Sequence, residues 1–154
     1  MRGYAIKNRD ICVGSLIANP PVMRVLVIDD DASVGAAIQM TLIREGCDTV
    51  HAPDGDAGIR AFESSRFDLV VVDLFMPGMD GFEIIREFRR RAPTLSILAM
   101  SGFRFRDLVD PKLNFLNLAA NAGATICLHK PFSPQQLVAA IHASQNPALL
   151  GVAR

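Results

Sequence analysis

The sequence predicts an α/β domain, a five-stranded parallel sheet doubly wound with helices on both faces. Three observations carry the prediction. From Met23 onward, short apolar runs alternate with segments of helical period, five times over. The runs are rich in Val, Ile and Leu without strict alternation, as strands buried on both faces require. Strands that each lead into a helix return by crossover, which makes them parallel and the crossovers right-handed.

Arg24 to Ile28 reads Arg-Val-Leu-Val-Ile, the first strand. Val34, Ala37, Ile38, Thr41 and Leu42 then fall on one helical stripe, with Gly46 in the position where a glycine ends a helix. Asp31 is the cap or first-turn acid of that helix rather than a metal ligand. Thr49 to Ala52 is the second strand, and Asp54-Gly55 opens a helix carrying Ala57, Ala61 and Phe62. Asp68 to Val72 is the third strand. Met79 to Arg91 is the next helix, with Phe82, Ile85 and Phe88 inward, a Glu87–Arg91 pair at i,i+4, and Pro93 as its stop.

Leu95 to Met100 is the fourth strand, a fourth helix lies within Lys112 to Asn121, and Thr125 to His129 is the fifth strand. Ser133-Pro134-Gln135-Gln136 starts the last helix, with Ser as N-cap, Pro in the first turn and Gln136 closing a capping box. Residues 1–22 are read as a loose extension ahead of an alternative start at Met23, residues 23–146 as the folded domain, and residues 147–154 as a tail. On that reading the domain stands alone, with no room for an output domain.

The composition narrows the function classes. Half of the 154 residues are hydrophobic and 21% are charged, the balance of a folded domain. Sixteen basic residues match sixteen acidic ones, so no overall positive field points to nucleic acid, and no direct nucleic-acid partner is expected. The runs Arg89-Arg90-Arg91, Arg104 and Arg106 read as solvated faces. No apolar run approaches the length of a membrane span, and the N-terminal stretch lacks the apolar core of a signal peptide. Cys12, Cys47 and Cys127 form no metal-like or disulfide pattern, so reduced thiols and a cytoplasmic location are expected, without membrane insertion. His51, His129 and His142 are scattered and read as surface or satisfied side chains. The methionines read as core filler.

Chemistry gathers at the strand ends. Asp29, Asp30 and Asp31 follow strand one, Asp73 and Ser101 follow strands three and four, and Lys130 follows strand five. The carboxyl edge of a parallel sheet is where such folds bind ligands. Crowded carboxylates repel, and they persist where a cation offsets their charge. Oxygen ligands of this kind suit Mg²⁺. A carboxylate beside such an ion can act as a nucleophile toward phosphorus, with Lys130 neutralising charge and Ser101 donating to a phosphoryl oxygen.

Val-Leu-Val-Ile-Asp29-Asp30, Asp73-Leu-Phe-Met-Pro77-Gly-Met-Asp-Gly81, Ser101-Gly102 and His-Lys130-Pro131-Phe132 together resemble the signature of response-regulator receiver domains, single-domain and chemotaxis-regulator-like. The resemblance covers roughly Met23 to Gln145. It implies a flavodoxin-like sheet of strand order 2-1-3-4-5. It also implies Asp73 as phosphoacceptor and metal ligand, Asp30 contacting Mg²⁺, and Asp29 acting mainly through water. Phe75 would offer its backbone carbonyl to the metal, Ser101 would be the switch hydroxyl, and Lys130 would pair with the phosphoryl group. Pro131 would follow a cis peptide bond. The donor would be a phosphohistidine on a sensor histidine kinase or a histidine phosphotransfer protein, and the signal would pass to an unknown output protein.

The sequence departs from the family pattern in four places. Cys127 stands where an aromatic usually turns inward with the switch hydroxyl. Phe75 stands where smaller or polar residues are frequent, and Phe103 stands two residues after the switch hydroxyl; both would flank the phosphoryl group and are expected to obstruct water and slow phosphoryl loss. The span from Ser101 to Lys130 is also longer than the resemblance implies for a compact βα unit. The extra residues, Gly102 to Pro111, carry Phe103, Phe105 and Leu108, as a partner-binding surface or as a local cover over the core.

Two functions stand against each other. One is a receiver phosphorylated on Asp73, whose only catalysis is of its own phosphorylation and dephosphorylation. The other is a degenerate receiver, a constitutive interaction module. A dehalogenase-like phosphatase would need a second aspartate two residues after the nucleophile, where Phe75 stands.

Overall fold

A computed structural model of the protein describes residues 21–102 and 115–146, apart from the side chains of 115 and 116. Expectations for residues 1–20, the segment from Phe103 to Asn114, and the tail 147–154 lie outside the described residues. The strands are β1 (Arg24–Ile28), β2 (Asp48–Ala52), β3 (Leu69–Asp73), β4 (Ser96–Ser101) and β5 (Ile126–His129). They pair in parallel in the order β2-β1-β3-β4-β5, as expected. The helices between and after them are α1 (Ala32–Arg44), α2 (Gly55–Ser64), α3 (Gly81–Arg91), α4 (Phe115–Ala122) and α5 (Pro134–Gln145).

The apolar runs of β1 and β3 are buried throughout because alternate residues face two separate cores. Leu26, Ile28, Val70 and Val72 pack with Ile84, Ile85 and Phe88 of α3 on one face. Val25, Val27, Leu69 and Val71 pack with Ile38, Leu42, Leu137 and Ile141 of α1 and α5 on the other. Full burial of a side chain of this size contributes about 1.5–3 kcal/mol before entropy is counted. That anchors the central strands, and with them the residues at their ends.

The helix ends follow their capping chemistry. Asp31 caps α1, its Oδ1 accepting from the Ser33 and Val34 amides at 2.9 and 3.2 Å. Gly46, at φ +81°, ends that helix in the left-handed region. The Ser133–Gln136 capping box forms in both directions. Glu87 pairs with Arg91 as expected, and also with Arg90. These partners hold the Glu87 carboxyl down at about 2.

Two helix stripes differ from expectation. On α1 the buried residues are Gly35, Ile38 and Leu42, while Ala37 is exposed. On α3 they are Gly81, Ile84, Ile85 and Phe88, with Phe82 only half-buried. The reason for the second is the cap: Asp80 accepts from the Phe82 amide at 2.8 Å, so the helix starts at Gly81 rather than Met79. Ile84 enters the core beside Ile85 and Phe88, and the Phe82 ring meets Phe75 edge-on, with centroids 6.4 Å apart.

Candidate functional site

The parallel register brings the polar strand ends to one edge of the sheet. Asp29 and Asp30 directly follow β1, Asp73 is the last residue of β3, Ser101 the last of β4, and Lys130 follows β5. Main-chain bonds tie these ends together: Leu74 N–H donates to Met100 O at 2.9 Å, and Lys130 N–H to Ser101 O at 2.7 Å. The Lys130–Pro131 peptide is cis, as expected. Gly81 of α3 lies against the end of β3 so closely that a Cβ there would overlap the Asp73 carbonyl and the Leu74 backbone. Glycine is what lets the start of α3 approach the Asp73 backbone.

The Lys130 ammonium bridges two carboxylates, 2.7 Å from Asp29 Oδ2 and 3.0 Å from Asp73 Oδ2. Asp29 Oδ1 accepts from the Asp31 amide at 2.9 Å, and Asp73 Oδ1 from the Phe75 amide at 3.2 Å. Asp29 is fully buried, and Asp73 and Ser101 nearly so, whereas Asp30 is exposed. The pairing of Lys130 with Asp29, 101 positions away, has no signal in the sequence, and it gives the lysine a partner before any phosphoryl group arrives.

The electrostatics are unbalanced. Ligand oxygens of Asp29, Asp30 and Asp73 all lie within 4.8 Å of one another. Three carboxylates against one ammonium leave two negative charges. Burial pushes the Asp73 carboxyl up, Lys130 and the Phe75 amide pull it down, and Asp29 pushes it up again; the net direction is up. Burial works against the Lys130 ammonium, but its bonds to Asp29 and Asp73 prevail and its pKa rises. One ammonium cannot satisfy two buried carboxylates, so the lysine stays charged while Asp73 stays frustrated. A divalent cation would bring the charge of the cluster to zero, and three carboxylate oxygens are a donor set that Mg²⁺ accepts.

A cavity of about 800 Å³ opens over the cluster, lined by Asp30, Asp73, Lys130, Phe75, Phe132 and Gly102 among others. Of the departures noted in the sequence, Cys127 is half-buried on β5 against the core. Burial pushes its thiol up to about 11, so it is a packed, unreactive group at neutral pH. Phe75 is half-buried at the cavity wall. Phe103, Arg104, Arg106 and the rest of the long segment to Pro111 lie outside the described residues. His51 is satisfied, as expected, with Nε2 2.9 Å from the Asp29 carbonyl oxygen.

Residues 25–142 match the model of the response regulator receiver domain. The chain belongs to this family. It is 36% identical over 122 residues to the DNA-binding response regulator MtrA of Mycobacterium tuberculosis, a match covering 78% of the chain and 49% of that protein. It is 32% identical over 120 residues to the alkaline phosphatase synthesis transcriptional regulatory protein PhoP of Bacillus subtilis, covering 78% and 47%. Among solved structures it is similar to a receiver domain protein of Clostridium thermocellum, with TM-score 0.72 and 28% identity, covering 85% of the chain and all of that one. The chemotaxis protein CheY4 of Vibrio cholerae gives TM-score 0.70 and 27% identity, covering 80% and 98%.

The receiver is a signalling module of two-component systems, and aspartyl phosphate and Mg²⁺ are general features of the family. The chain spans about half the length of the curated relatives it matches. The expectation of no direct nucleic-acid partner is corrected by these relatives, several of which are DNA-binding by name. It rested on the neutral charge of the chain, and the charge of a receiver carries no information about the output it is coupled to. No helix among the described residues is long and apolar enough to cross a membrane.

Proposed function

We propose that the protein accepts a phosphoryl group on Asp73 from a phosphohistidine of a sensor histidine kinase or phosphotransfer protein, and passes the signal on through protein–protein contact or phosphotransfer. The observation that carries this reading is the buried Asp29–Lys130–Asp73 bridge beside exposed Asp30, a cluster two charges short of balance. In the reaction an Asp73 carboxylate oxygen forms the new P–O bond as the P–N bond of the phosphohistidine breaks, and the imidazole leaves with the electron pair. Lys130 would follow the developing phosphoryl oxygens, a role supported by its bond to the reacting carboxylate. Ser101, at the end of β4 and tied through its carbonyl to Lys130, would donate its hydroxyl to a phosphoryl oxygen.

Asp29, Asp30 and Asp73, with the Phe75 carbonyl, are the groups that would hold Mg²⁺, which when bound neutralises the carboxylates and the incoming phosphoryl oxygens. The Phe75 ring would shield the acyl phosphate from water at the cavity wall. In the relatives whose names specify DNA binding the output acts on DNA, so a DNA-binding module counts among the outputs this receiver would control. The test is incubation with Mg²⁺ and acetyl phosphate. The intact protein should gain the mass of one phosphoryl group, and Asp73→Asn should not. If neither gains mass, the interaction-module reading replaces this one.

A further inference from the structure

The backbone that presents the two metal-binding acids is held by a side chain from the neighbouring strand. β2 ends at Ala52, whose carbonyl still accepts the Asp29 amide at 3.2 Å. The next residue, Pro53, has no N–H to give. The Asp29 carbonyl, on a fully buried residue, is met instead by His51 Nε2 at 2.9 Å. A carbonyl only accepts, so Nε2 carries the hydrogen and donates. That carbonyl belongs to the Asp29–Asp30 peptide. Its plane sets the direction in which both carboxylates leave the main chain.

A second observation points to the same ring. Gly35 lies inside α1 and is buried, and a Cβ there would overlap the His51 imidazole. Glycine within a helix costs about 0.5–1 kcal/mol relative to alanine. Here that cost opens the slot in which the imidazole lies between α1 and the end of β1. An aliphatic pair at these positions would fill the same seam without a polar group to satisfy.

We infer that His51, seated against Gly35, is a positioning residue that fixes the Asp29–Asp30 peptide and so preorganises the acidic pair for Mg²⁺. This rests on the reading above, which makes those acids the metal ligands. Groups that orient a metal ligand without touching the metal are commonly worth about 10–100-fold in affinity.

The experiment measures the dissociation constant of Mg²⁺ alone from the Asp30 amide resonance, for the wild type, His51→Leu, Gly35→Ala and His51→Gln, with melting temperatures beside each. His51→Leu and Gly35→Ala should each bind Mg²⁺ about tenfold more weakly, the first losing the donor and the second displacing it. His51→Gln, which keeps an amide donor at similar reach, should return to within about threefold of the wild type. In the wild type the Nε2 proton should exchange slowly and couple to the Asp29 carbonyl carbon.

A cooperatively melting His51→Leu with wild-type affinity overturns the inference, and so does a folded glutamine variant as weak as the leucine one. Should His51→Leu fail to fold, the contrast between Gly35→Ala and His51→Gln decides the matter in the same way. Unchanged affinity in the variants while the wild type still takes up phosphoryl on Asp73 removes only this inference. A wild type that neither binds Mg²⁺ nor is phosphorylated removes the functional reading with it.

Discussion

At its start β1 sets Arg24 against Asp48 and Asp68; at its end it sets Asp29 against Lys130 and Asp73. The residue types are nearly the same, yet the surroundings differ. Arg24 Nε lies 2.9 Å from Asp48 Oδ2 in an ion pair too poorly aligned to count as a hydrogen bond, with both side chains more than a third exposed. The Arg24 amide donates to Asp68 Oδ2 at 2.7 Å, and the guanidinium covers the Phe67 ring at 5.2 Å. Water screens that cluster, so any imbalance in it is cheap. At the other end Asp29 is wholly buried and the lysine is shared between two carboxylates. There the imbalance persists in a setting of low dielectric, which is where a binding site for a cation or an anion-transfer reaction differs from a structural brace.

The contrast breaks most visibly at Lys130. Lys130→Ala should lower the rate of phosphoryl uptake by at least about 10²-fold. It should also destabilise the fold at pH 7 by about 3 kcal/mol, because Asp29 and Asp73 are left facing each other. Urea unfolding at pH 7 and at pH 5, with and without Mg²⁺, checks the second part: acid or the metal should restore much of the loss. A Lys130→Ala protein as stable as the wild type at both pH values would place the two ends of β1 on an equal footing.

Phe75→Asn sharpens the comparison from the side of the cavity. If the ring excludes water, the phosphorylated variant should lose its phosphoryl group several-fold faster, about 3–10-fold on the scale of one mispositioned group. The decay is followed by intact mass after excess donor is removed.

Asp73→Asn should stabilise the protein when no metal is added. The Asp73 carboxyl is raised above its unfolded value, so the folded state holds its proton more tightly and loses stability as pH rises from the unfolded range through the folded one. Above that range the wild type bears the loss and the asparagine variant does not. A rise in Tm of about 2–6 °C is expected at pH 7, shrinking toward pH 3. A lower Tm for the variant at pH 7 would mean that Lys130 overcompensates the buried carboxylate.

The smallest effect belongs to the other end of the strand. Asp48→Ala should cost no more than about 1 kcal/mol, and less in 1 M salt. Thermal melts in low and high salt are enough to measure it.

The sequence made the strand ends legible because each is an unbroken apolar run closed by a polar residue, and a parallel sheet must bring such ends together. Asp29, Asp73, Ser101 and Lys130 were therefore readable as neighbours, and Asp31 and Ser133 as caps, since these depend on local spacing. Contacts that depend on tertiary register were not readable. Lys130 gripping Asp29, Gly35 making room for His51, and Ile84 rather than Phe82 entering the core all arise from how elements of the fold are set against one another. Charge neutrality was overread, since the net charge of a receiver says nothing of the output that such a domain controls.

The central claim is that the unbalanced cluster at the end of β1 exists to take a phosphoryl group on Asp73. Intact mass after incubation with Mg²⁺ and acetyl phosphate tests it most directly, comparing the wild type with Asp73→Asn. The wild type should gain one phosphoryl group, and none when Mg²⁺ is removed before the reaction, while the variant should gain none. Equal masses for the two proteins, both folded, would contradict it.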